Sequence, residues 1–150
     1  DMIRGVYLNT MNDDLSECRK IYHHVFGKTN NDDMNAEQWR ENDDIEDMAI
    51  YLLLYNENEV PVGAARLIFD FDGMFKFDGL SVLPEYRKKG YGDFIMHMMF
   101  DKAYQSGAHY LVSDDVAHMP EYFKKYGFEI KNQRMILDLK AYFNTHKCCH

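Results

Sequence analysis

Cysteine, long apolar runs and positive charge are all in short supply in this chain, and each shortage removes a class of protein. Three cysteines, two of them adjacent at Cys148 and Cys149, cannot build a disulfide framework. A reducing, cytoplasmic setting is therefore expected. The end of the chain, His146, Cys148, Cys149 and His150, has metal-ligating residue types but no second ligand cluster elsewhere, so it reads as a frayed tail and no metal is expected. No apolar run approaches the roughly 18–20 residues that cross a bilayer, and the start lacks a charged-then-apolar signal pattern. Neither a membrane nor export is expected. Lys and Arg number 17 against 25 Asp and Glu, for a net charge of −8. That balance argues against nucleic acid, whose binding depends on cationic neutralisation of phosphates. Internal repeats and low-complexity linkers are also missing.

What is present is apolar and aromatic. Apolar residues make up 46% of the 150 residues and aromatics 15%, with ten methionines. That suits a single domain over 1–150 with a dense core, about 3–139, and a tail over 140–150. Ile3–Leu8 reads as a strand. Asp13 or Asp14 can cap a helix over Leu15–Phe26, where Leu15, Cys18, Ile21, Tyr22, Val25 and Phe26 recur at helical spacing. Residues 30–47 hold eight acids against one base, Arg40, around a short helix at Ala36–Glu41. Met48–Tyr55, Val62–Phe71 and Met74–Val82 then read as an antiparallel meander, turned by Asn56–Glu59 and by Asp72-Gly73. Phe94–Tyr104 is a long helix, Tyr110–Ser113 a strand and Pro120–Tyr126 a helix ended by Gly127. Phe128–Lys131 and Met135–Leu139 are two closing strands. The fold class is α+β (mixed α/β), with a central, mostly antiparallel twisted sheet flanked by helices.

One segment looks built around an anion. The Met74–Val82 strand runs into Leu83-Pro84-Glu85-Tyr86-Arg87-Lys88-Lys89-Gly90-Tyr91-Gly92 and then a helix. A helix N-terminus offers free backbone N–H groups and the positive end of the helix dipole. Gly90 and Gly92 let a phosphate approach that backbone, and Arg87, Lys88 and Lys89 add field. A dinucleotide-binding turn fits less well, because the strand ends eight residues before Gly90 and Ile95 occupies the third glycine position. No Lys-Ser/Thr follows for a Walker loop.

These residues resemble the GNAT superfamily of acyl-CoA-dependent N-acetyltransferases. Its signature, a strand ending in Val and then Arg/Gln-x-x-Gly-x-Gly/Ala at a helix start, is matched by Val82 and Arg87–Gly92. Tyr122-Phe123-Lys124-Lys125-Tyr126-Gly127-Phe128 resembles the family's late helix, which ends in Gly-Phe before a strand. The resemblance implies acetyl-CoA as co-substrate, with no metal. It implies that backbone N–H groups of Arg87, Lys88, Lys89, Gly90, Tyr91 and Gly92 hold the pyrophosphate. It also implies that Leu80, Ser81 and Val82 pair with the pantetheine arm, because the fourth and fifth strands splay apart. An N–H there would face the thioester oxygen.

For proton transfer, the family often places a Glu or His nine residues before the motif arginine, and Asp78 stands there. Strand alternation would put Lys76, Asp78, Leu80 and Val82 on one face, with Phe77, Gly79 and Ser81 on the other. The family's usual general acid, a Tyr four residues before the late-helix glycine, is replaced by Phe123, which is left as a donor-lining residue. Tyr126 and Tyr122 are the candidate substitutes. Asp93, just after the motif, reads either as a helix cap or as a charge that would repel a pyrophosphate. The stretch Asp115–His118 lacks the Asn that often binds pantetheine, and His97 reads as an ordinary helix residue. The acidic stretch 30–47 with Trp39 falls where the family shapes its acceptor site, which suggests a small-molecule or peptide amine, cationic by preference. A homodimer is left open. The function expected is N-acetyl transfer by direct attack in a ternary complex. The alternative is a noncatalytic acyl-CoA-binding or sensor module of the same fold.

Overall fold

The computed structural model describes residues 2–27, 48–70, 72–114 and 120–146. The acidic stretch with Trp39, the Asp115–His118 segment and the cysteines of the tail lie outside the described residues. Seven strands, β1 (Arg4–Asn9), β2 (Ala49–Tyr55), β3 (Pro61–Ile68), β4 (Met74–Val82), β5 (Tyr110–Ser113), β6 (Glu129–Lys131) and β7 (Arg134–Asp138), form one sheet. The strand order is β1-β2-β3-β4-β5-β7-β6. The β4–β5 pairing is parallel and the others are antiparallel. The described helices are α1 (Ser16–Phe26), α2 (Tyr91–Gln105), α3 (Pro120–Lys124) and α4 (Leu139–His146), with a short 3-10 turn at Pro84–Tyr86.

Both faces of the sheet are covered, which explains why β2 reads as a continuous apolar run, Ala-Ile-Tyr-Leu-Leu-Leu-Tyr. Tyr51 and Leu53 meet Leu15, Cys18, Ile21 and Tyr22 on the α1 side. Leu52 and Leu54 join Ile95, Met96, Met99 and Phe100 of α2, together with Phe75 and Phe77. Burial of Cys18 pushes its thiol up to about 12, so it packs as a small apolar side chain. Helix α1 begins one residue later than the spacing suggests. Asp14 takes the capping role in part, its Oδ1 accepting the Ser16 N–H at 2.9 Å.

Two sequence expectations are corrected. The stretch from residue 140 is not all tail, because Leu139–His146 is a helix whose Tyr142 packs on Phe100 and whose Phe143 stacks on Tyr104. Leu139, Tyr142 and Phe143 have helical spacing, so this signal was present in the sequence. The second correction concerns β4. Arg66 faces Asp78 but Ala64 faces Ser81, so Ala65 of β3 opposes two residues of β4, Gly79 and Leu80. The extra residue is a β-bulge at Gly79, whose φ of +66° is left-handed backbone that glycine adopts without steric cost. The bulge reverses the side-chain phase. Leu80 and Val82 therefore pack with the α2-side core, while Asp78 remains on the α1 side.

Candidate active site

The fork between β4 and β5 is the structural centre of the site. Only Met74–Lys76 of the nine-residue β4 pair with β5, at Tyr110–Val112. From there β5 turns to β7, so the far end of β4 presents an open edge. The peptide directions at that edge follow from one bond, Leu83 N–H to the Val62 carbonyl at 2.9 Å. Directions alternate along a strand, so Val82 turns its own N–H and C=O away from β3 and into the fork. The edge thus offers an extended amide-bearing ligand the same groups a neighbouring strand would offer.

The basic turn follows at once. Gly90 is the N-cap of α2 at φ +88°, and no side chain caps that end of the 15-residue helix. Nothing lies within 4 Å of where a Cβ on Gly90 would stand. Lys88 also has left-handed backbone, φ +64°, which costs a non-glycine residue on the order of 1–2 kcal/mol. Arg87, Lys88 and Lys89 are exposed. Tyr91 differs from the rest of the motif. Its ring is buried against Tyr86 and its hydroxyl donates to Glu57 Oε1 at 2.9 Å, so only its backbone faces the turn. Free first-turn N–H groups, dipole and cations come together at one exposed turn, an arrangement suited to an anion.

The proton-handling candidates are less uniform. Asp78 is held by Arg66 in a two-pronged pair, Nε to Oδ1 at 2.8 Å and Nη2 to Oδ2 at 2.6 Å. Arg66 is only 3% exposed. Both carboxylate oxygens of Asp78 are thus engaged by a buried guanidinium. Ser81 is buried and donates to the Gly79 carbonyl at 3.0 Å, which closes the bulge.

Asp93 neither caps α2 nor faces the anion turn alone. It accepts hydrogen bonds from the Tyr126 and Tyr122 hydroxyls, the latter at 3.4 Å, and pairs with Lys125 Nζ at 3.0 Å. The Tyr126 hydrogen bond holds its carboxyl below the ordinary carboxylate range, assisted by Lys125. Burial, then Asp93, raises the Tyr126 phenol. Burial raises Tyr122 as well, while Tyr126 and Lys125 pull it back. Lys125 Nζ sits 4.4 Å from the centre of the Tyr122 ring. The Tyr122 hydroxyl lies 3.0 Å from where a Cβ on Gly92 would stand, and Val82 Cγ2 lies 3.9 Å from the same point. Phe123 points the other way. It is buried and packs on Phe77 and Phe128, beneath the site and not on its surface. His97 is exposed, its ring against Phe100 and Tyr126.

Sequence reasoning thus grouped the turn and strand edge as the structure does, and it missed two associations. One is Arg66 with Asp78, signalled by the lone charge of β3 and the lone acid of β4. The other is Asp93 with Lys125, one in the first turn of α2 and the other in the turn after α3, which gives no local signal.

Comparison with known proteins follows the same lines. No curated protein matches the chain. Among solved structures, a GNAT-family acetyltransferase from Brucella melitensis in complex with acetyl-CoA is 16% identical, covering 90% of this chain and 88% of its own, with TM-score 0.67. The PaiA N-acetyltransferase from Thermoplasma acidophilum, in complex with coenzyme A, is 15% identical over 91% of this chain and 97% of its own, with TM-score 0.66. A GNAT-family acetyltransferase from Staphylococcus aureus is 15% identical over 91% and 99%, also with TM-score 0.66. At such identities these likenesses speak for the fold. The model of the acetyltransferase (GNAT) family matches residues 11–128, most of the chain and both motifs. With that match over the meander, the anion turn and the late helix, the chain belongs to the GNAT acetyltransferase family.

Proposed function

We propose that this protein transfers an acetyl group from acetyl-CoA to an amine by direct attack within a ternary complex. The observation that carries the reading is the open β4 edge running directly into an uncapped, glycine-led helix start. An extended thiol-linked amide chain ending in a pyrophosphate needs those two features in that order. Val82 and Leu80 would pair with the arm through their backbone, while the peptide groups of Ser81, between them, turn to β3. The N–H groups from Lys88 to Gly92, with the three cations around them, would hold the phosphates.

The chemistry needs a neutral amine nitrogen to attack the thioester carbonyl, a donor for the oxygen that gains charge and a proton for the departing thiolate. An N–H on the bulged stretch of β4 meets the second need. For the third, Tyr122 is the better of the two tyrosines, because its hydroxyl lies beside Gly92 and Val82 while Tyr126 is committed to Asp93. The nitrogen–carbon bond forms as the carbon–sulfur bond breaks, the sulfur takes the phenolic proton, and the proton the nitrogen sheds passes through water to the Tyr122 oxygen and restores it. While that oxygen is charged, the Tyr126 hydroxyl, 3.2 Å away, can turn its single proton from Asp93 toward it. Asp78 is better read as the anchor of Arg66 than as the base that deprotonates the amine.

Burial of Phe123 at the family's acid position favours one other reading, an acyl-CoA-binding module without turnover. A panel of aliphatic, aromatic and peptide amines, followed by release of free CoA thiol, separates the two. Thiol release with at least one amine is the expected result. Tight acetyl-CoA binding without release across the panel would select the module, and no acetyl-CoA binding would remove both readings.

A further inference from the structure

Of the three cations in the anion turn, Arg87 is tied to the strand. Its Nε donates to the Val82 carbonyl at 2.8 Å. That carbonyl is one of the two peptide groups β4 turns into the fork. Backbone bonds from Tyr86 to Leu83 at 2.9 Å and from Arg87 to Pro84 at 3.3 Å wind the intervening residues into a compact 3-10 turn. The side chain of Arg87 then folds back across that turn and closes a ring with the end of the strand. The two halves of the site, strand edge and helix start, are therefore fixed to each other by one side-chain nitrogen.

We propose that Arg87 is a positioning residue, which sets the Val82 peptide for the acyl-donor arm through its Nε, and that its positive charge is secondary. This deepens the acetyl-CoA reading and rests on it. The chemistry of the side chain makes the claim specific. In Arg, Nε is the fourth side-chain atom from Cα. In Gln, the amide nitrogen occupies the same place in the chain and is likewise a planar N–H donor. In Lys, that place is a methylene, which keeps the charge one atom further out and donates nothing there. Glutamine is thus the conservative replacement for this role and lysine is not, the reverse of what a phosphate-binding charge would require. The carbonyl keeps a second lone pair for the arm itself.

The test compares Arg87→Lys and Arg87→Gln for binding of two probes, CoA and pantetheine, the second of which carries the arm without any phosphate. CoA affinity is measured by calorimetry and pantetheine by displacement of a fluorescent CoA. Arg87→Lys is expected to weaken both probes by the same factor, about tenfold, the scale of one charge-assisted hydrogen bond. Arg87→Gln is expected to leave pantetheine unchanged and to weaken CoA about two- to threefold, an effect that shrinks with added salt. Unchanged melting temperatures in both variants would confirm that fold stability is not the cause. The inference is overturned if Arg87→Lys binds both probes like wild type, or if it weakens CoA alone. Loss of pantetheine binding in Arg87→Gln would overturn it equally. If wild-type protein binds neither probe, the acetyl-CoA reading fails first, so the two failures are distinguishable.

Discussion

The two ends of the fork are made of different materials. The donor end, from Leu80 to Gly92, works through the backbone: an unpaired strand edge, a bulge at Gly79 and a helix start with free N–H groups. The end beside it, where α2 meets α3, works through side chains: Asp93 of α2, Tyr122 of α3, and Lys125 and Tyr126 of the turn that follows α3. A backbone site tolerates side-chain change provided the chain path is kept. A side-chain cluster does not, because each hydroxyl or carboxylate it loses leaves another partner unsatisfied.

The sharpest way to probe the contrast is Tyr122→Phe. It keeps the ring on Lys125 and removes only the hydroxyl beside Gly92, so kcat should fall by about 10²-fold or more while acetyl-CoA affinity stays within about twofold. Steady-state kinetics and calorimetry check both numbers, and an unchanged kcat would remove Tyr122 as the proton donor. Because burial raises its phenol, the wild-type rate should show no loss of this acid below about pH 10.

Asp78→Ala should act mainly on stability. The guanidinium of Arg66 is buried, but Asp78 is more than a third exposed, so screening reduces the cost to about 2 kcal/mol. Chemical denaturation reads this directly. A full loss of turnover in Asp78→Asn with unchanged stability would instead restore Asp78 as a base.

Asp93→Asn should loosen the α2–α3 contact by about 1 kcal/mol. The same contact has a pH signature. The carboxyl of Asp93 is held below its ordinary value of 3.8, so its contribution is fully present above that pH and is lost as pH falls through the lower, folded value. The acid limb of wild-type stability should therefore flatten in Asp93→Asn, and a limb of unchanged slope would contradict the ion-pair account.

The smallest effect is expected from Lys88→Gly. Relief of the left-handed backbone, set against the entropy of glycine, should leave stability within about 1 kcal/mol. Acetyl-CoA affinity should fall only slightly and in a salt-dependent way. A large, salt-insensitive loss would show that the Lys88 side chain makes a specific bond, which would blur the distinction between the two ends.

Much of this was legible before the structure. The meander, the long helix and the anion turn follow from alternation, helical spacing and glycines whose geometry is local. What escaped has a common cause. Alternation breaks where a bulge inserts a residue, so Asp78 and Leu80 were placed on one face when Gly79 separates them. Phe123 aligns with a tyrosine of the family motif, yet its neighbour Tyr122 faces the cleft, and a shift of one residue on a helix is about 100° of rotation. Residues 140–146 read as tail because the eight-residue helix Leu139–His146 is too short to stand on propensity, and it forms by packing on Phe100 and Tyr104.

By itself, the sequence determined the order of elements, the family and the anion-binding turn, because each depends on interactions among residues close in the chain. Only the tertiary structure decided that β4 leaves β5 after three residues, that Arg66 holds Asp78 and that Arg87 reaches back to Val82. Those are matters of where a strand parts from its neighbour and which side chain arrives there. No local pattern encodes them, since the energy that fixes them comes from contacts made only once the sheet and its helices have packed.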